Sequence, residues 1–343
     1  MDIRKQLSIL LGCLALGLFT INSLGAQEPV QQTLCCEGDC SCGCKEGVIC
    51  CCEQRPVETY PSQYGDSDCR HAFDCGLCGV WFPEDPPLFR PFVADPREID
   101  YSVGWRFDDQ ALEKNVIDVS YGDIIGVYEW CCVLPWKGRM RIDLEGALWA
   151  VFSPCQESSP LINADYFIGL AATYAINRWQ FRWRTFHISS HIGDEFLINH
   201  WHKGGFKRYN PSAEFTDIFV SHDLTDDLRV YGGAGVVLHQ DETFRCGRIY
   251  AAAGCEYRWR ELGFVNCCHQ IYGTPYYGMY FRFQKDFKHH VDSTYVLGYE
   301  WGKLSGLQRR LRAFLEYHDG YSAEGQFLRF ATNYLSIRLS YGY

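Results

Sequence analysis

Alternation with a period of two constrains this chain more than any other feature, and it is cleanest at the C-terminus. In Tyr334-Leu335-Ser336-Ile337-Arg338-Leu339-Ser340-Tyr341-Gly342-Tyr343, the odd positions Leu335, Ile337, Leu339, Tyr341 and Tyr343 are all apolar or aromatic. The residues between them are mostly small or polar. Successive side chains of a strand point to opposite faces, so the segment reads as a strand with one oily and one wet face. The pattern recurs upstream. Ile142, Leu144, Gly146, Leu148, Ala150 and Phe152 oppose Arg141, Asp143, Glu145 and Ala147. Leu311, Ala313, Leu315 and Tyr317 oppose Arg310, Arg312, Glu316 and His318, and Tyr277, Met279, Phe281 and Phe283 oppose Arg282 and Gln284.

A strand that ends the chain on an aromatic residue facing the oily side resembles the closing strand of a bacterial outer-membrane barrel. The resemblance is to the C-terminal signal read by the barrel-insertion machinery, which that likeness makes a partner, with outer-membrane lipids. An edge strand of a soluble sandwich is the competing reading of this one segment. From Tyr101 onwards about 12 strands are expected: 101–107, 116–129, 140–152, 165–176, 178–191, 213–224, 227–238, 249–260, 276–286, 292–303, 310–319 and 327–343. Arg and Glu on the wet faces suit a narrow barrel filled by its own side chains. The expected fold is therefore all-β, an antiparallel transmembrane β-barrel over residues 101–343. Short connections at 176–178, 225–227 and 303–309 would lie in the periplasm and the long one between Ile192 and Ser212 outside, with 261–275, long and carrying Cys267-Cys268, as the exception on the periplasmic side.

Composition agrees. Aromatic residues make up 16% (Tyr 22, Phe 22, Trp 10), while mean hydropathy is -0.21. Barrels place rings at both membrane interfaces and hide their hydrophobicity in alternation. A net charge of -10 without a Lys/Arg run argues against nucleic acid as a partner.

The N-terminus begins Met1-Asp2-Ile3-Arg4-Lys5-Gln6, continues apolar from Leu7 to Thr20, and reaches small residues at Gly25-Ala26. This is the form of a secretory signal over residues 1–26, cut after Ala26. Leu10-Leu11-Gly12-Cys13 mimics a lipoprotein box, a weaker reading because apolar sequence continues beyond it. Removing Cys13 from the 19 cysteines leaves 18, an even number, in a compartment that permits disulfides. Residues 27–100 read as an irregular, cysteine- and proline-rich periplasmic segment. It carries Cys35, Cys36, Cys40, Cys42, Cys44, Cys50, Cys51, Cys52, Cys69, Cys75 and Cys78. Disulfides within and between chains are favoured there, and Cys-x-Cys and Cys-x-x-Cys spacings leave zinc or copper open. Other cysteine-rich envelope proteins would be the cross-linking partners.

One strand could carry chemistry. His187, Ser189 and His191 share a face with Trp179, Phe181, Trp183 and Thr185. A polar trio on a lipid face is costly unless it meets headgroups or other polar groups. Ser189 as nucleophile and His187 as base, with an orienting acid among Asp194, Glu195 and Asp217, would make a lipid ester hydrolase. No cofactor is expected, or calcium in the hydrolase case. The same residues could instead form a divalent cation site or a polar rim anchoring the long connection. The His-x-Ser strand is similar to the catalytic strand of outer-membrane phospholipase A and the lipid A deacylase, with Ser190-His191 where the phospholipase has Asn and Gly.

Three stretches, 92–98, 186–197 and 317–327, resemble the uncharacterised barrel family DUF1207 of chlamydiae, planctomycetes and some other bacteria. The likeness spans about residues 85–343 and implies a barrel fold and an envelope location, with no activity assigned. The leading expectation is an outer-membrane barrel with a cross-linking cysteine-rich extension, supporting envelope integrity with limited solute passage. The lipid hydrolase is its rival.

Overall fold

The computed structural model describes residues 79–133, 136–201, 209–266, 271–286, 291–304 and 307–343. The signal segment and all the cysteines from Cys35 to Cys78 lie outside the described residues.

Among the described residues fourteen strands run in chain order. They are β1 (Gly79–Trp81), β2 (Tyr101–Phe107), β3 (Asn115–Val133), β4 (Gly138–Phe152), β5 (Leu161–Ile176), β6 (Trp179–Ile192) and β7 (Ser212–Asp223). There follow β8 (Leu228–Gln240), β9 (Ile249–Arg258), β10 (Phe264–Val265), β11 (Ile271–Gln284), β12 (Asp292–Lys303), β13 (Arg310–Tyr321) and β14 (Ala331–Gly342). Omitting the short β1 and β10, twelve strands form a closed antiparallel barrel, because β14 pairs with β2 from Leu335↔Phe107 to Tyr341↔Tyr101. Closure leaves no open edge, so the backbone groups of the wall are paired within it. The twelve match the strands expected from alternation. β1 extends the place of β2 along the longer β3, pairing with residues 128–130.

The outer face is apolar: Val103, Ile168, Leu170, Trp183, Ile218, Leu311, Ile337 and Leu339 are all exposed. Such a band is stable only against hydrocarbon. Rings rim it, with Trp136 and Trp179 at one end and Phe107, Phe283 and Phe330 at the other. The end bearing the C-terminus has the tightest connections, Asn177-Arg178 above all, although the long 259–270 connection that carries β10 lies there too. Asn177 takes φ 51, a left-handed conformation that asparagine tolerates. The opposite end carries the longer connections, including helix α1 (Asp194–Trp201). Tyr343 departs from the expected lipid-facing position. It follows the last paired residue, so the ladder no longer sets its direction, and its ring packs inside with Ile99 and Trp149. Arg312 Nη2 donates to its carbonyl at 2.6 Å.

The lumen is filled. Residues 85–100, expected from sequence to belong to an irregular segment preceding the barrel, run inside it, and none is exposed. Phe89, Phe92 and Ala94 pack with the inward-facing Phe219, Tyr231, Tyr276, Tyr280 and Phe314. Phe92 stacks on Tyr231 with ring centroids 4.0 Å apart. Wall side chains hold the backbone of this inner segment. Arg229 donates to Pro91 O at 2.9 Å and Arg90 O at 2.6 Å, and Arg141 Nη1 to Asp85 O at 2.9 Å. Gln180 Oε1 accepts from Arg90 N at 3.1 Å, and Glu256 Oε1 from Val93 N at 3.2 Å. An ion pair joins Arg90 to Asp223.

Phe92 is the centre of this packing. Phe92→Ala should lower stability by about 3–5 kcal/mol, seen as an earlier urea midpoint of the refolded protein in micelles, with the far-UV strand signal retained in the folded state.

Candidate functional site

The inner segment, β5, β6 and the connection after β13 converge at the long-connection end of the lumen. Arg97 Nη2 lies 2.5 Å from Asp165 Oδ2 and 3.8 Å from Glu324 Oε1, while Arg97 Nε donates to Ala323 O at 3.0 Å. Gly325 N donates to Asp165 Oδ2 at 3.1 Å. Gln326 Nε2 donates to Ser190 O at 3.1 Å and Tyr209 O at 3.0 Å. Ser190 Oγ donates to Asn163 Oδ1 at 3.1 Å, and Asn163 Nδ2 to Asp165 Oδ1 at 2.8 Å. A Cβ at position 325 would stand 2.5 Å from that of Ser190, so only glycine brings the connection this close. The stretches 92–98, 186–197 and 317–327, distant in sequence, each contribute to this junction.

Beneath it lies a chamber of about 210 Å³, bounded by Phe92, Asp95 and Arg97 of the inner segment. Its wall presents Phe167, Phe186, Phe215, Tyr250 and Tyr280 with Arg182, Arg184 and Asp217. Sequence alternation identifies these wall residues as inward-facing. It does not show that the inner segment closes one side.

The residues considered for hydrolysis divide between two faces. His187, Ser189 and His191 point outward, as expected. Glu214, which sequence reasoning missed, is the acid beside them: His187 Nδ1 lies 3.0 Å from its Oε1 and His239 Nδ1 2.8 Å from its Oε2. Alternation groups Glu214 with Thr216 and Ile218 on one face of β7, but the sequence alone does not fix that this face shares the side of His187. Asp217 is not the orienting acid. It is buried inside the wall, 2.8 Å from Arg184 Nη2 and 3.3 Å from the Tyr250 hydroxyl. The pairing registers His187↔Glu214 and Arg184↔Asp217 put odd positions of β6 beside even positions of β7, so Asp217 and Ser189 face opposite ways.

Among the described residues no hydrogen bond joins Ser189 to His187. Asp194 and Glu195 are exposed in the first turn of α1, where the helix dipole favours acids. His191 stands edge-on to Tyr166, with centroids 5.5 Å apart. No cluster of three or more His, Cys, Asp or Glu side chains suits a metal ion among the described residues. Cys155, Cys246 and Cys255 are free thiols.

Glu324 locks the junction electrostatically. Burial raises its carboxyl, but Arg106 and Arg97 outweigh burial and hold it down to about 2. A depressed carboxyl contributes stability that is whole above its unfolded value, near 4.5, and is lost as pH falls through about 2. Glu324→Gln should therefore lower the urea midpoint at neutral pH and flatten its decline between about pH 4.5 and 2. A parallel decline in the variant would assign the acid sensitivity to other carboxylates.

No curated protein matches the chain. Among solved structures, outer membrane phospholipase A from Escherichia coli is 11% identical, with 73% of this chain and 92% of that chain covered and a TM-score of 0.47. LpxR from Salmonella typhimurium is 10% identical, covering 71% and 100%, with a TM-score of 0.37. The transport unit of the autotransporter AIDA-I from Escherichia coli is 14% identical, covering 75% and 93%, with a TM-score of 0.38. The family model described as a protein of unknown function, DUF1207, matches residues 44–343. The chain belongs to the DUF1207 family.

Proposed function

We propose that the protein is an outer-membrane barrel that supports envelope integrity and holds its own lumen closed. Its cysteine-rich N-terminal segment would lie in the periplasm and form disulfides with other cysteine-rich envelope proteins. The observation that carries the closed-lumen reading is the inner segment itself, whose backbone is held by Arg229, Arg141, Gln180 and Glu256 across the lumen. Solute passage through a lumen so filled would be slight.

The apolar band and rimming rings support contact with membrane lipids. The tight connections at 177–178 and 224–227 share an end with the start of β2 and the end of β14. Bacterial barrels keep short turns in the periplasm, which would bring the N-terminal segment there too. The alternating β14 supports recognition by the insertion machinery. A lipid ester hydrolase, with calcium as its cofactor, has less support, because Ser189 lacks a hydrogen bond to the His187–Glu214 pair.

Two measurements separate the parts of this reading. In planar bilayers the refolded full chain should conduct no more than a protein-free membrane, and the double variant Phe92→Ala, Arg229→Ala should raise the current. A steady open channel from the wild type overturns the closed lumen. On gels of isolated envelopes run without reductant, the protein should migrate in large complexes that reductant collapses to monomer. A monomer under both conditions removes the cross-linking role.

A further inference from the structure

Arg182, on the inner face of β6, differs from the other arginines of the chamber. Arg97 is paired with Asp165, Arg184 with Asp217, and Arg282 with Asp292. Arg182 is only 4% exposed, yet no carboxylate lies within ion-pair distance among the described residues, and its Nε has no hydrogen-bond partner. The pairing register explains this. Arg184 has Asp217 beside it on β7, whereas Arg182 has Phe219, and on β5 its neighbour is Thr173. Thr173 Oγ1 is turned instead to Arg141 O and Asp143 Oδ2.

Rings surround the guanidinium. Its central carbon is 4.6 Å from the Phe89 centroid and 5.4 Å from those of Phe92 and Phe219. Such contacts contribute about 0.5–2 kcal/mol each. Burying an unpaired charge costs more than that unless a counter-charge is supplied. Arg182 borders the 210 Å³ chamber, whose walls combine rings such as Phe186, Phe215 and Tyr280 with charged side chains already in ion pairs, Arg184 with Asp217 and Arg97 with Asp165. An apolar cavity of about 150 Å³ accepts a benzene-sized molecule, so this one has room for a ring and a small head group. Asp95, the lining carboxylate without an ion pair among the described residues, accepts from Arg97 N at 3.0 Å.

We propose that the chamber binds a small organic oxyanion, its carboxylate or phosphate head on Arg182 and its apolar body among the lining rings Phe186, Phe215 and Tyr280. The guanidinium fork suits either head by paired N–H donors.

The test is calorimetric titration of the refolded full chain in non-ionic micelles with benzoate, phenyl phosphate and uncharged benzyl alcohol. At least one of the two anions should saturate a single site, and benzyl alcohol should bind at least about tenfold more weakly, the scale of a charged hydrogen bond. Arg182→Met leaves no acid unpaired, so the variant should keep the wild-type unfolding midpoint or exceed it while losing about tenfold or more of its anion affinity. Should Arg182→Met fail to fold, Arg182→Lys takes its place, with weaker binding expected because a point charge replaces the fork. Absence of saturable binding by both anions overturns the proposal. So does undiminished anion affinity in the variant that folds.

Discussion

A guanidinium inside a barrel wall has neither lipid nor bulk water to turn to, and much of this structure follows from that. Arg106, Arg141, Arg229, Arg258, Arg312 and Arg338 are each at most 5% exposed. Each ion taken out of water costs several kcal/mol unless close partners offset it. Neighbouring strands supply most of them. Asp118 serves Arg106 and Arg338, Glu300 serves Arg258 and Arg312, and Glu256 serves Arg229 and Arg258. The wall does not complete the set alone. Arg229 and Arg141 direct further donors to carbonyls of the inner segment, so withdrawing that segment would strand donors as well as open a void.

The segment suits this task because of its prolines. Pro86, Pro87, Pro91 and Pro96 have no N–H to satisfy, yet each offers a carbonyl. A stretch poor in donors and rich in acceptors matches a wall rich in arginine. Several of its amides are met individually: Arg90 N by Gln180, Val93 N by Glu256, Phe92 N and Ile99 N by Glu98. Phe92 adds ring contacts with Phe219, Tyr231 and Tyr280 of the wall, about 0.5–1.5 kcal/mol for each well-placed pair beyond burial itself, and Phe89 stands edge-on to Phe92.

The wall was legible in the sequence because alternation survives wherever one face meets lipid and the other meets charge. Leu311, Leu315, Ile337 and Leu339 are outward and Arg312, Glu316, Arg338 and Ser340 inward, as the period demands. The inner segment has no period, since its order comes from tertiary partners up to about 226 residues away, as with Arg97 and Ala323. Proline-rich composition reads equally well as a loop. The junction was visible only as three separate stretches. The acid beside His187 was missed for a different reason. Which acid of β7 shares its face depends on the parity of the β6–β7 register, and a connection as long as 193–211 leaves that parity unset. Tyr343 was misplaced because the period was carried one residue beyond the last ladder pair.

Filling also determines how the chamber behaves. The inner segment closes one side and the 323–326 connection another, so the space between is small and lined by rings and paired charges. Electrostatic interactions strengthen as the surroundings become less polarisable, for unmet charge as much as for met charge. In an open, watered channel Arg182 would be solvated and unremarked. Behind Phe89, Phe92 and Phe219 it is a cation whose nearest neighbours are ring quadrupoles, with the Glu145 carboxylate beyond ion-pair distance and itself shared with Arg184. The segment that satisfies Arg229 and Arg141 thereby isolates Arg182, and closure of the lumen and the demand for an anion in the chamber have one cause.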